Sequence, residues 1–395
     1  MRARYQALDS WRGVAAILVV VYHGAFAGPL SVQGVARGGY LWVDFFFVLS
    51  GFVIAHAYGD RIGSGRDAAV FLLRRFGRLW PLHATMLMVF LAAEGFAYAV
   101  RVHSGDASVF ASSANDNNTA SFSANLVLLN AMGLANGLSW NGPSWSIGAE
   151  FWAYVAFSGA ALLWRGPARL AALAMIAASA GLYLLFCSPH APKMNTTYDF
   201  GFVRALYGFF IGALVQAALD ASQERNSTLP GATAMELGAT FGVILFLMFC
   251  SDSALSVAAP LAFAPLVFVF AQQAGALSTL LGRPIFVRLG MWSYSIYMIH
   301  PIINNVWTRA VKSGVAKFHL APLRPLDGFG QLLFTSDSTL ENLLLQSSEV
   351  ALMIAVVTIA SFTYDWIESP ARLVFNAIAV RCADRPPMRV LGAGR

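Results

Sequence analysis

Charged residues are scarce in this chain of 395 residues: only 12% are Asp, Glu, Lys or Arg, whereas 57% are hydrophobic. Soluble domains contain about 25% charged residues on average. A soluble protein with so little charge would expose more apolar surface than water can solvate, whereas a bilayer lets apolar residues face lipid. The composition therefore excludes an ordinary soluble protein and predicts an integral membrane protein.

Cysteine is also sparse, with three residues far apart in the chain and no CxxC pair. This excludes a disulfide framework and a cysteine-based zinc site, and we expect no metal centre. The formal net charge is +6. In a membrane protein such an excess belongs to cytoplasmic loops, so we expect a lipid bilayer and not nucleic acid as the partner.

The chain contains many long apolar runs. They predict an all-α fold, a polytopic membrane bundle of about ten transmembrane helices. The ten predicted spans are 13–29, 38–58, 80–100, 144–164, 168–187, 201–219, 232–251, 254–273, 286–307 and 349–367.

The positions of the basic residues predict the orientation. If the N-terminus is cytoplasmic and the spans alternate, 18 of the 26 Lys and Arg residues fall on the inner side. Cytoplasmic loops carry such an excess, so we expect both termini to be cytoplasmic. The exception is the loop at 308–348, which has four basic residues on the outer side and is expected to fold over the outer mouth.

The first span carries two functional candidates, Arg12 and His23, which are eleven residues apart. Eleven helical steps make three turns plus roughly 20°, so both side chains face the same way, about 16 Å apart along the axis. A phosphorylated donor with a long arm, such as coenzyme A, has about this reach. The alternatives are that Arg12 snorkels to the interface and that His23 is a hydrogen-bonded core histidine.

Three more ionisable residues occupy the predicted outer halves of spans: Asp44, Glu150 and His300. Ionisable residues at membrane depth are costly and mark functional sites. Together with His23 they predict a general-base arrangement, with a carboxylate such as Glu150 orienting the imidazole. Glu150 could instead be a packing partner for an Arg or His, and we expect Asp44 and His300 to be supporting residues.

An arginine cluster precedes the third span, in LLRRFGRLWP. Arg75 and Arg78 are three residues apart and share a helix face, which suits a phosphate or diphosphate. Positive-inside charge or anionic lipid would explain the same residues. We favour positive-inside charge for Arg74, whereas spacing alone leaves both explanations open for Arg75 and Arg78.

Six segments, in the same order, resemble the motifs of the acyltransferase-3 family of bacterial membrane O-acyltransferases. They are YQALDSWRGVAAILVVVYH (5–23), FFFVLSGF (45–52), RRFGRLWP (74–81), GPSWSIGAEFW (142–152), SYSIYMIHP (293–301) and YDWIESPAR (364–372). The first segment departs slightly, with Ser10 and Trp11 where Gly and Leu are common. The charged positions are unaffected.

The resemblance implies the site residues. His23 would be the catalytic histidine, Arg12 would contribute to donor binding or to the pore, Arg75 and Arg78 would contact the phosphates of acyl-coenzyme A, and Glu150 would help form the active centre. It implies a membrane domain over 1–370, followed by a short basic cytoplasmic tail over 371–395. We expect no C-terminal hydrolase-like domain of the kind that many members carry.

We therefore expect an O-acyltransferase in a bacterial inner membrane, with acetyl-coenzyme A or another acyl-coenzyme A as donor substrate and no permanently bound cofactor. The expected acceptor is a hydroxyl of an envelope glycan or a lipid-linked saccharide. Acetyl is the family default, whereas a succinyl group would need an extra cation, for which Arg204 is a candidate. A transporter for a lipid-linked sugar or small solute, or a non-enzymatic assembly partner, would use the same buried charges differently. The sequence predicts no oligomeric state.

Overall fold

The computed structural model describes residues 5–24, 38–104, 116–224, 231–317 and 339–384. These ranges contain thirteen α-helices and no β-strand. The helices are α1 (Gln6–His23), α2 (Trp42–Tyr58), α3 (Gly65–Ser104), α4 (Thr119–Leu126), α5 (Trp145–Leu163), α6 (Gly166–Phe186), α7 (Gly201–Glu224), α8 (Ala232–Cys250), α9 (Ala259–Ala271), α10 (Ala276–Leu281), α11 (Pro284–Lys317), α12 (Thr339–Thr363) and α13 (Ser369–Asp384).

Eight stretches within the described residues are long and apolar enough to cross a membrane. A helix satisfies all its backbone hydrogen bonds internally, and this is what the interior of a bilayer requires. The all-α, polytopic membrane fold predicted from the sequence is confirmed. The eight stretches are 38–58, 65–100, 142–163, 166–186, 201–223, 232–250, 254–271 and 347–383.

Two of the ten predicted spans, 13–29 and 286–307, lie on helices that are not among these eight. The first helix begins earlier than predicted, at Gln6, and ends at His23, while residues 25–29 lie outside the described part of the chain. Both α1 and α11 carry polar side chains that lower their hydropathy. They pack extensively against each other within the bundle, so lipid does not surround them.

Glycines set the closest helix contacts. A Cβ at Gly51 of α2 would collide with the carbonyl oxygen of Phe209 on α7, and one at Gly212 of α7 would collide with the carbonyl of Val48. Gly13 of α1 similarly meets the backbone of Gly290 on α11. Small residues let membrane helices approach closely, where van der Waals contact stabilises the pair. These two crossings pair α2 with α7 and α1 with α11.

The C-terminal part is more helical than the sequence predicts. The last predicted span, 349–367, lies on α12, which continues through a π-helical turn, Tyr364–Glu368, into α13. Helix α13 packs against α3, where Phe375 contacts Gly77, so much of the predicted tail is an ordered helix. The predicted outer loop at 308–348 is helical up to residue 317 and again from residue 339, and its centre lies outside the described residues.

Candidate active site

A cavity of about 430 Å³ lies inside the bundle, lined by α1, α2, α3, α5, α11, the π-helical turn and α13. Small-molecule sites in proteins measure about 300–1,000 Å³. Four arginines and three carboxylates line the cavity together with aromatic and aliphatic side chains: Arg12, Arg75, Arg78, Arg372, Asp9, Glu150 and Glu368. So many charges inside a membrane bundle indicate a site for a polar or charged ligand.

Arg75 and Arg78 both face this cavity, as their spacing on α3 predicts. Nη2 of Arg75 donates to the hydroxyl of Tyr58 at 3.1 Å, and the guanidinium lies 5.1 Å from the centroid of that ring. Arg78 has neither a hydrogen bond nor an ion pair with any residue that the structure describes. Its guanidinium is therefore available to a bound anion.

Arg12 and Arg372 complete the cation cluster from two other helices. Nη1 of Arg12 lies 3.8 Å from Oδ1 of Asp9, and Nη1 of Arg372 lies 3.8 Å from Oε1 of Glu368. Both distances exceed that of a normal hydrogen bond. The carboxylates thus balance charge nearby while the guanidinium N–H groups stay available for an oxyanion.

The π-helical turn supplies residues that the sequence reading did not assign. Tyr364, Glu368 and Arg372 all line the cavity, and Oε2 of Glu368 accepts a hydrogen bond from Ser295 at 3.0 Å. π-Helical turns inside longer helices are frequent at functional sites. The signal in the sequence was their spacing of four residues within YDWIESPAR, which places them on one helical face.

Glu150 lies in the same cavity and is tied to two hydroxyl groups. Its Oε1 accepts from Ser50 Oγ and from Tyr154 OH, each at 2.5 Å, and these two hydroxyl oxygens are 3.1 Å apart. Ser50 precedes Gly51, so the glycine makes the close helix contact and frees the serine to face the cavity. The result is a hydroxyl–carboxylate cluster from α2 and α5.

His23 lies elsewhere, at the end of α1, where its side chain is exposed. Its Nδ1 is 3.0 Å from the carbonyl oxygen of Val19. A carbonyl oxygen can only accept, so Nδ1 carries the hydrogen, and Nε2 of the neutral ring keeps its lone pair. The ring also lies against that of His300, with centroids 5.0 Å apart. This tautomer leaves Nε2 able to accept a proton.

Tyr297 lies between the cavity and the histidine pair. It lines the cavity, and its ring centroid is 5.8 Å from that of His300. Its hydroxyl donates to the carbonyl of Pro143 at 2.9 Å and is 2.8 Å from Oγ of Ser146. Neither His23 nor His300 is among the described residues that line the cavity. Tyr297 therefore borders the arginine-lined cavity on one side and contacts the histidine pair on the other.

Asp44 forms a buried ion pair with Arg204, 160 residues away along the chain. Nε and Nη2 of Arg204 donate to the two carboxylate oxygens at 2.9 and 2.7 Å. The guanidinium also lies over the rings of Tyr40 and Trp145, at 5.5 and 5.4 Å from their centroids. With these partners, Arg204 is not a spare cation for a dicarboxylic acyl group.

The family described as Acyltransferase domain (Acyl_transf_3) matches residues 5–365. The chain belongs to this acyltransferase family. The resemblance carried by the six motifs is thereby confirmed. The match includes every predicted site residue, whereas the predicted domain boundary at residue 370 stays a prediction.

Three curated proteins are similar to parts of this family member. "Protein 2 in picA locus" of Rhizobium radiobacter is 44% identical over 91 residues, which are 22% of this chain and 45% of that protein. "Peptidoglycan O-acetyltransferase OatA" of Listeria monocytogenes is 34% identical over 84 residues, 21% of this chain and 12% of that protein.

"Putative peptidoglycan O-acetyltransferase YrhL" of Bacillus subtilis is 40% identical over 87 residues, again 21% of this chain and 12% of that protein. The matched part is thus less than half of each relative's length. No solved structure matches the chain.

The acyltransferase fold brings only some of the predicted site residues together. One cavity contains Arg12, Arg75, Arg78 and Glu150. His23 and His300 contact each other in a second place, and Asp44 is in a third, paired with Arg204.

The expected cluster of these four ionisable residues does not form, because only the two histidines contact each other, while Asp44 pairs with Arg204 and Glu150 with Ser50 and Tyr154. Their common depth in the membrane stays a prediction. His23 is oriented by donating from Nδ1 to the carbonyl oxygen of Val19 and not by Glu150, whose Oε1 accepts from Ser50 and Tyr154. Among the described residues, no group of three His, Cys, Asp or Glu side chains could hold a metal ion.

Proposed function

We propose that this family member is a membrane O-acyltransferase that moves an acyl group, most simply acetyl, from cytoplasmic acyl-coenzyme A to a hydroxyl of an envelope glycan on the outer side. Family membership supports acyl transfer, and two relatives are named for peptidoglycan O-acetylation. The inner-side excess of basic residues supports cytoplasmic termini in a bacterial inner membrane.

The donor's phosphates belong at the arginine cluster. Guanidinium groups bind phosphate oxygens through paired, charge-assisted hydrogen bonds. Arg78 offers an unpaired guanidinium, while Arg12, Arg75 and Arg372 border the same cavity. The pantetheine arm then extends past the hydroxyl–carboxylate cluster of Ser50 and Glu150 toward Tyr297, so that the acyl end of the donor reaches His23.

The observation that carries the chemical step is the tautomer of His23, fixed by the Val19 carbonyl. In the proposed step, Nε2 of His23 takes the proton from the acceptor hydroxyl as its oxygen attacks the thioester carbonyl. A carbon–oxygen bond forms and the carbon–sulfur bond breaks. Coenzyme A leaves as a thiolate and takes up the proton from His23, which returns to the neutral imidazole.

In this proposal the acyl group moves along the contact between helices α1 and α11. Arg12 and His23 lie at two levels of α1, with Arg12 in the cavity and His23 beside His300. The acyl group passes Tyr297, which contacts both places.

The test uses purified protein in lipid nanodiscs, acetyl-coenzyme A labelled in the acetyl group, and the glycan fraction from the source cells' envelope. We expect glycan-dependent release of free coenzyme A thiol and ester-linked label in the glycan. His23→Gln should lower the rate about 10²–10⁴-fold, the usual contribution of a general base. His103→Gln, at an exposed histidine near the end of α3, is the matched control.

A transporter or an assembly partner would neither release thiol nor esterify the glycan. Transfer at the wild-type rate by correctly inserted His23→Gln protein would remove the histidine from the mechanism while leaving the acyltransferase activity in place.

A further inference from the structure

Helix α11 carries a stripe of four polar side chains that begins in the donor cavity and continues beyond it: Ser293, Tyr297, His300 and Asn304. Their spacings of four, three and four residues place them on one helical face. Ser293 and Tyr297 line the cavity, and His300 contacts His23. We call these four residues the α11 stripe. It runs from the donor cavity, past the proposed base, to Asn304 one turn further on.

Several polar atoms of the stripe have no hydrogen-bond partner in the part of the chain that the structure describes. Oγ of Ser293 and both Nδ2 and Oδ1 of Asn304 are buried and make no hydrogen bond with any residue that the structure describes. The His300 ring is directed at backbone carbonyls of its own helix, at Ile296 and Tyr297, without a well-formed hydrogen bond. These residues are nearly inaccessible, with exposed fractions of 1% for Ser293, 0% for His300 and 5% for Asn304. More than 90% of buried polar groups in native proteins have a partner. Three unpaired atoms on one helical face, next to a histidine that is only weakly paired, are therefore a feature to explain.

Unpaired buried polar groups destabilise a fold. A row of them on one helix therefore indicates that something other than the protein satisfies them. A ligand with several hydrogen-bonding groups would satisfy them. The neutral imidazole of His300 offers an acceptor nitrogen, because its N–H is directed at the carbonyls of its own helix, and the amide of Asn304 offers two donors and one acceptor oxygen. A hydroxyl both donates and accepts, so neighbouring hydroxyls match this mixed set better than a phosphate or carboxylate, which only accepts.

We propose that His300 and Asn304 form the acceptor subsite and hold neighbouring hydroxyls of a sugar or similar polyol next to Nε2 of His23. This rests on the proposed acyl transfer and adds to it the residues that bind and select the acceptor. Helices α1 and α11 pack side by side, so this arrangement would place both substrates along the same helix pair. The donor enters at Arg12 and Ser293, and the acceptor is held at His23, His300 and Asn304.

The chain offers a matched pair for the test, since Asn304 is buried and the adjacent Asn305 is exposed. Asn304→Leu and Asn305→Leu would be compared in nanodiscs with labelled acetyl-coenzyme A and increasing amounts of envelope glycan fraction. For Asn304→Leu we expect the half-saturating glycan concentration to rise about tenfold, from lost hydrogen bonds. The half-saturating acetyl-coenzyme A concentration should not change, and Asn305→Leu should match wild type in both.

Thermal unfolding separates this role from a structural one. Leu is close in size to Asn and removes unpaired polar atoms, so Asn304→Leu should be at least as stable as wild type while binding the acceptor more weakly. His300→Gln provides a second variant, because it keeps a donor and an acceptor but displaces them. It should raise the half-saturating glycan concentration without changing that for acetyl-coenzyme A.

Each outcome decides a specific claim. If wild-type protein esterifies the glycan and both variants show wild-type glycan dependence, the acceptor subsite is wrong and the proposed transferase stands. If the variants lose stability and affinity for both substrates together, the stripe is structural and the subsite is again wrong. If wild-type protein neither releases thiol nor labels the glycan, the proposed function fails, and the subsite fails with it.

Discussion

The hydroxyl of Ser50 lies 2.5 Å from Oε1 of Glu150, and both groups face the cavity that contains Arg78. A serine hydrogen-bonded to a carboxylate is a pattern found in covalent catalysis, where the carboxylate accepts the serine proton. The same pair is equally able to hold the thioester end of a donor in place. The contact therefore raises the question of whether the acyl group passes directly to the acceptor.

We expect direct transfer, with no acyl-serine intermediate. Wild-type protein incubated with labelled acetyl-coenzyme A and no acceptor should not accumulate protein-bound label, as measured after denaturation and gel filtration. Ser50→Ala should keep measurable transfer, because Tyr154 still donates to Glu150. Stoichiometric label on wild-type protein that disappears in Ser50→Ala would instead establish a serine relay.

Glu150→Gln should reduce the transfer rate more than Ser50→Ala does. Oε1 of Glu150 accepts hydrogen bonds from both Ser50 and Tyr154, and an amide oxygen without charge holds the two hydroxyls less strongly. The measurement is the rate at saturating donor and acceptor, with Asp365→Asn, at an exposed carboxylate beside the cavity-lining Tyr364, as control. Equal rates for wild type and Glu150→Gln would show that the cluster does not need the charge.

Arg78→Ala should weaken donor binding while leaving acceptor binding unchanged. A hydrogen bond to a charged group contributes about 1.5–3 kcal/mol, so the half-saturating acetyl-coenzyme A concentration should rise about 10- to 150-fold. Arg74→Ala is the matched control, since Arg74 belongs to the same RRFGR segment but does not line the cavity. Similar effects of the two substitutions would contradict specific recognition by Arg78.

Asp44→Asn should destabilise the protein by about 3–5 kcal/mol, because it leaves the buried guanidinium of Arg204 without a counter-charge. Thermal unfolding of purified protein in detergent measures this. The double substitution Asp44→Leu with Arg204→Met should recover much of the loss, since a well-packed apolar pair can replace a buried ion pair at little cost. An unchanged unfolding temperature for Asp44→Asn would show that the ion pair contributes little.

Gly51→Ala should destabilise the α2–α7 crossing by about 1–3 kcal/mol, the range for overpacking a tight interface. A methyl group there would overlap the backbone of Phe209. Gly238→Ala on α8 is the control, because a Cβ at that position meets nothing within 4 Å. The control should be neutral or slightly stabilising, as expected when an alanine replaces a helical glycine without a clash. Equal unfolding temperatures for the two variants would rule out a tight crossing.

Spacing along a helix was enough to predict one part of the site. Arg75 and Arg78 share a cavity, as their separation of three residues predicts, because both lie on one continuous helix. The relative directions of side chains within one helix depend only on their spacing, so they can be predicted from the sequence alone. The same reasoning applied to Tyr364, Glu368 and Arg372 would have found a second wall of the cavity.

Contacts between helices were not predictable in the same way. Asp44 and Glu150 were both expected near His23 because the predicted topology places all three in the outer halves of their spans. Depth follows from hydropathy and topology, but the direction in which each side chain points depends on how its helix is rotated. The partners of these carboxylates, Arg204 for Asp44 and Ser50 for Glu150, are 160 and 100 residues away in the chain.

The sequence by itself determined that this protein is a helical membrane acyltransferase, because low charge, long apolar runs and ordered motifs are properties of local segments. Only the tertiary structure decided that the arginines and Glu150 share one cavity while His23 and His300 meet beyond Tyr297. The physical reason is helix packing. Glycine contacts such as Gly51 with Phe209 and Gly13 with Gly290 fix the rotation of each helix against its neighbour, and this rotation determines which polar groups meet.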